Sequence, residues 1–105
     1  MPTDRIKQLQ QFYEEDPSDP FNVYALALEY LKSDATKSIQ FFEMLLLNHP
    51  DYLPTYYHAA KLYQEIGDRE RAIKVFEDGI SLARKVNNPK ALRELQSAYD
   101  EMMFD

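Results

Sequence analysis

His49 and His58 are the first residues to test for chemistry, because an imidazole can hold a metal or move a proton near neutral pH. They stand nine residues apart, and neither has a histidine or cysteine partner at helical spacing. Zinc-type centres need such ligand groupings, so both read as ordinary polar residues. Cysteine is absent, which removes thiolate nucleophiles, disulfides and cysteine-type zinc sites together. Ser18, Ser33, Ser38 and Ser81 lie in no nucleophile elbow. Carboxylates are numerous, yet no pair is marked by its surroundings as buried enough to tune one acid against another. No metal, no cofactor and no catalysis are expected.

What remains is surface and the elements that carry it. The formal charge is −6 and no basic stripe is visible. Nucleic-acid binders show such a stripe, so no nucleic acid is expected as a partner. Met1-Pro2-Thr3-Asp4-Arg5 lacks the apolar core of a secretory signal. Apolar runs such as Met44 to Leu47 fall far short of a bilayer span. The expectation is a cytoplasmic protein with no membrane segment. With 105 residues and only Gly67 and Gly79 as glycines, one helical domain is expected, 1–105.

Proline and Asx residues punctuate six helices. Thr3 can cap a first helix over 3–15, with Ile6, Leu9, Phe12 and Tyr13 on one stripe. Asp19 and Pro20 start a second, expected over 21–32, which turns Val23, Leu26, Ala27 and Tyr30 inward. Ser33-Asp34 opens the third, 35–47, with Ile39, Phe42, Leu45 and Leu46 inside. The fourth is expected over 52–66 and tolerates Pro54 in its first turn. Gly67 ends it as a left-handed cap, and Asp68 caps the fifth, with Ala72, Ile73, Phe76, Gly79, Ile80 and Leu82 inward. Asn87-Asn88-Pro89 starts the last, 89–103, along which Leu92, Leu95, Tyr99, Met102 and Met103 recur. No segment alternates as a strand does.

The chain repeats itself. Val23, Leu26, Ala27 and Tyr30 precede Tyr56, Ala59, Ala60 and Tyr63 by 33 residues. Ser38, Phe42 and Leu45 precede Ala72, Phe76 and Gly79 by 34, and Leu92, Leu95, Gln96 and Tyr99 renew the first pattern 36 residues after Tyr56. This resembles the tetratricopeptide repeat. Tyr56 takes the place of its tryptophan, Ala59-Ala60 that of its Leu-Gly pair, and Tyr63, Ala72 and Phe76 match directly. Arg84 stands where proline is usual. The resemblance implies an all-α, right-handed superhelical stack of antiparallel helix pairs. Repeat one would span 20–52 and repeat two 53–88, flanked by helices at 3–15 and 89–103. The first helix resembles, more loosely, the second helix of a preceding half unit.

The resemblance also implies a non-enzymatic protein–protein interaction module whose concave groove takes a partner protein or peptide. By register the groove holds Tyr24, Leu28 and Leu31, then Tyr57, Lys61 and Gln64, then Lys90 and Arg93. Aromatics beside cations suit an acidic or carboxylate-bearing peptide. The clamp by which some members hold acidic C-termini is not matched: Tyr24 and Leu28 stand at two of its places and Lys61 at a third. The alternative is a structural, self-associating domain. Phe41, Met44 and Leu47, in register with Val75, Asp78 and Ser81, would form an outer apolar patch, and Met102, Met103 and Phe104 a C-terminal one. Either would support a homodimer, with the groove closed by the first helix.

Overall fold

The computed structural model describes residues 2–104, with side chains from residue 4 onward. Six helices account for nearly all of it, and no strand occurs among the described residues. The chain is all-α, as the punctuation implied. Two compact units are present, residues 1–52 and 53–105.

The first unit contains α1 (Pro2–Glu15), α2 (Pro20–Tyr30) and α3 (Ala35–Asn48). Helix α1 begins before Thr3, whose side chain lies outside the described residues, so the expected cap there is not assessed. The Asp19 carboxylate accepts from Phe21 N at 3.0 Å, and Pro20 fills the first turn, where no amide is needed. The Asn22 side chain donates to the carbonyls of Phe12 and Asp16, closing the C-terminal end of α1. Helix α2 ends at Tyr30, two residues short of the expected end. The Asp34 N–H turns back to the Tyr30 carbonyl at 2.7 Å, and the Asp34 carboxylate caps α3 by accepting from Lys37 N. Val23, Leu26, Ala27, Phe42 and Leu45 form the core here, while Ile39 and Leu46 are half-buried. Ser38 is fully buried, and its hydroxyl donates to the Ala27 carbonyl at 2.6 Å. A small residue at this place lets α2 and α3 approach, and the serine satisfies its own polar group in doing so.

The second unit contains α4 (Pro54–Glu65), α5 (Arg69–Lys85) and α6 (Pro89–Met103). Helix α4 starts two residues later than expected, because Tyr52 and Leu53 belong to the preceding turn. At its C-terminus Gly67 adopts φ +87°, with Asp68 N bonding Tyr63 O and Gly67 N bonding Gln64 O. This is the Schellman pattern. Helix α5 ends in the same pattern, with Asn87 at φ 57° in the glycine place. Asparagine tolerates that region better than most residues. Asp68 and Asn88 cap α5 and α6 through Arg71 N and Ala91 N.

Tight packing centres on Gly79. A β-carbon placed there would lie 2.6 Å from Tyr56 Cβ and 3.3 Å from Leu95 Cδ1, so α5 touches both α4 and α6 at this residue. Ala59, Ala60, Ala72, Phe76 and Ala83 are closed from solvent around it. Two expectations for α5 need correction. Val75, placed on an outer face by register, is buried, and Ile73 and Leu82 are only half-buried. The inner stripe is rotated because both sides of α5 are covered, one by α4 and the other by α6.

Candidate functional site

Helix α4 packs through Tyr56, Ala59, Ala60 and Tyr63, all buried. Tyr57 and Lys61, four residues apart, therefore share another face. Helix α6 packs through Leu95, Ala98 and Met102 and turns Arg93, Ser97 and Glu101 away from that core. Between the two helices lies a hollow of about 650 Å³, lined by Tyr57, His58, Lys61, Arg93, Glu94, Ser97, Ala98 and Glu101.

Its chemistry is mixed. Tyr57 is 36% exposed, and its ring meets that of His58 edge-on at 5.5 Å. Burial holds the His58 imidazole below its ordinary 6.5, which favours the neutral form near pH 7. Among the described residues Lys61, Arg93, Glu94 and Glu101 enter no ion pair. Two cations and two carboxylates are thus uncommitted around one aromatic shelf. Such a surface can hydrogen-bond a polypeptide of both charges. No group of three metal-ligating side chains forms among the described residues.

Of the groove residues expected from sequence, Tyr57, Lys61 and Arg93 come together here. Gln64 and Lys90 do not line the hollow; Gln64 is half-buried, with Oε1 lacking a hydrogen-bond partner among the described residues. Tyr24, Leu28 and Leu31 lie in the first unit and are half-buried. The Tyr24 ring packs edge-on against Tyr52 at 5.6 Å, and burial pushes its phenol upward, with Tyr52 adding to the effect. His58, Glu94 and Glu101 complete the hollow without having been singled out for it. The two glutamates sit on the flank of α6 that faces α4, which repeat register alone does not reveal.

The two expected self-association patches are smaller than the spacing suggested. Phe41 is stacked on Tyr30 at 5.8 Å and met edge-on by Tyr13 of α1 at 6.1 Å. Phe41 is therefore half-buried; Met44 is half-buried too, leaving Leu47 alone at 80% exposure. Met102 is 2% exposed, because it continues the buried row of Leu95 and Ala98 against α5. Arg69 of α5 donates to its carbonyl. Met103 and Phe104 stay exposed. No helix among the described residues is long and apolar enough to cross a membrane.

Comparison with known proteins agrees with this architecture. The tetratricopeptide repeat family model matches residues 53–86. A crystal structure of a tetratricopeptide repeat domain protein from Salinibacter ruber is 43% identical, with TM-score 0.77, over 81% of this chain and 96% of that one. A solution structure of a tetratricopeptide repeat domain protein from the same organism gives 44% identity, 83% and 89% coverage, and TM-score 0.78. The crystal structure of MamA protein shares the fold at 23% identity and TM-score 0.72, covering 97% of this chain and 58% of that one. No curated protein matches the chain. The doubled helical pair, the small residues at the crossings and the Salinibacter ruber relatives place this chain in the tetratricopeptide repeat family.

Proposed function

We propose that the protein is a non-enzymatic interaction module that holds an extended segment of a partner protein in the α4–α6 hollow. Tyr57 supplies the apolar shelf on which a partner side chain rests. Lys61 and Arg93 take a carboxylate or backbone carbonyls, while Glu94 and Glu101 take a basic side chain or backbone amides. The observation that carries the reading is four uncommitted charges around one half-open aromatic ring, on helices fixed by a close-packed core. Family membership supports it, since tetratricopeptide repeats generally mediate protein–protein contact. The ligand is expected to carry charges of both signs rather than a single terminal carboxylate.

Selection from a display library of random short peptides tests this. Peptides enriched on the wild-type protein should contain both an acidic and a basic residue. Their affinity should fall at least about tenfold, 1.4 kcal/mol, for Tyr57→Ala and again for Lys61→Ala/Arg93→Ala. Enriched peptides that bind these variants as well as wild type would place recognition elsewhere.

A further inference from the structure

The α4–α6 hollow gathers three basic side chains beside one aromatic ring. His58 and Lys61 stand three residues apart on α4, and Tyr57 and Lys61 four apart, so the three side chains neighbour one another on the helix surface. Arg93 reaches the same space from α6, where Ala98, small and buried, adds no bulk to the wall. Peptide binding as set out above gives Lys61 and Arg93 a part and His58 none, although His58 lines the hollow and is half-buried there. The charged and titratable side chains that share the hollow with it are Tyr57 and Lys61 of α4 and Arg93, Glu94 and Glu101 of α6; α5 sends none into the lining. Near pH 7 the two cations and two carboxylates cancel. Burial keeps the His58 imidazole neutral at that pH even with both glutamates lining the same space.

We infer that His58 determines specificity in this hollow: with Lys61 and Arg93 it makes a subsite for an aspartate or glutamate side chain of the partner segment, and it takes up one proton when that carboxylate arrives. The inference rests on the hollow being the binding site. A neutral imidazole offers a carboxylate one N–H, whereas an imidazolium offers a full charge as well. A ligand carboxylate beside the ring, in a space already partly closed from water, therefore favours the charged form and opposes the effect of burial. The complex then binds more protons than the unliganded protein, so affinity rises as pH falls. It is flat above the His58 midpoint of the complex, climbs by up to about tenfold per pH unit below it, and levels off beneath the lower midpoint of the unliganded protein. An aspartate or glutamate side chain of the partner, with an ordinary midpoint of about 4, stays ionised through this window. A basic residue at the same place would be repelled by the imidazolium. Acidic partners are thus favoured over basic ones, and more so as the surroundings turn mildly acidic.

The probes are display-selected peptides with amidated C-termini whose affinity falls for Tyr57→Ala. Titration calorimetry at about pH 6.5, in buffers of different ionisation enthalpy, counts the protons taken up on binding. Uptake should be positive for wild type. It should vanish for His58→Gln, and for a peptide whose acidic residues are changed to their amides. Wild-type affinity should rise between about pH 8 and about pH 5.5, by about tenfold for each unit by which binding raises the His58 midpoint, while His58→Gln stays flat. The chain holds two histidines, His49 and His58. Their ring-proton resonances follow the same event in wild type, whether or not the variant folds: the His58 midpoint should move up on saturation with peptide and the His49 midpoint should stay. No proton uptake with an unmoved His58 midpoint overturns the inference and leaves the hollow standing as the binding site. Equal uptake by wild type and folded His58→Gln overturns it too, since the proton then goes elsewhere. If no selected peptide depends on Tyr57, the hollow is not the site and both readings fail together.

Discussion

Replacing Gly79 by alanine sets two known effects against each other. In an open helix the change would stabilise by about 0.5–1 kcal/mol, because glycine costs more conformational entropy. Here the new methyl group would sit 2.6 Å from Tyr56 Cβ and 3.1 Å from Tyr56 Cγ. Carbon atoms rest at about 3.5–4.0 Å, so α4 and α5 must part by roughly 1 Å at their crossing. The obstructing atoms lie at the root of a buried ring and cannot swing aside, and Leu95 Cδ1 at 3.3 Å closes the other side. Overpacking of this kind costs about 1–3 kcal/mol, so the expected balance is a loss of roughly 1–2 kcal/mol. For a chain of this size that lowers the thermal midpoint by about 5–10 °C. Urea and thermal denaturation followed by circular dichroism measure it, with Gly67→Ala as the contrast. Gly67 has nothing within 4 Å of its would-be β-carbon, so its cost is purely that of φ +87°. A Gly79→Ala protein as stable as wild type would show that the helices separate freely there, and the close-packed account of this crossing would fail.

Thr55 is fully buried, and its hydroxyl has no partner among the described residues. Thr55→Val should therefore raise stability by about 1 kcal/mol, the size of an orphaned polar group, and a lower urea midpoint would contradict this. Asn88→Ala removes the acceptor for Ala91 N and should lower stability by about 1 kcal/mol in the same assay; no change would deny the cap its role. His58 is held below its ordinary 6.5, so on acidification the unfolded chain binds this proton first. Its contribution is fully present above about pH 6.5 and is lost as pH falls toward the depressed native value. Urea midpoints for wild type and His58→Gln should therefore diverge across that window, with the variant less acid-sensitive. Parallel pH profiles would count against a buried neutral imidazole.

Much of the fold was legible because its stops are local. Asp19, Asp34, Asp68 and Asn88 each cap a helix by accepting from a nearby amide, and Asx before a helical stretch says so without tertiary knowledge. The repeat register foretold where small residues sit, and Gly79 and Ser38 are indeed points of close approach. It could not say that Ser38 would bond the Ala27 carbonyl, since an acceptor belongs to the neighbouring helix. Nor could it separate Phe41 from Leu47. Both lie on apolar turns of α3, and only the placement of Tyr13 and Tyr30 decides that one is covered. Met102 and Met103 differ for the same reason, one turned toward α5 and the next away from it. Tyr57, Lys61 and Arg93 followed from register, whereas His58, Glu94 and Glu101 needed the proximity of α4 and α6.

Amide chemical-shift mapping with a display-selected peptide tests the binding assignment most directly. On titration, the largest shifts should fall on Tyr57, His58, Lys61, Arg93, Ser97 and Glu101, and Tyr57→Ala should abolish them without altering the rest of the spectrum. Shifts centred instead on Leu47 of α3 or Phe104, with the α4 and α6 signals unmoved, would contradict the assignment of the hollow as the binding site.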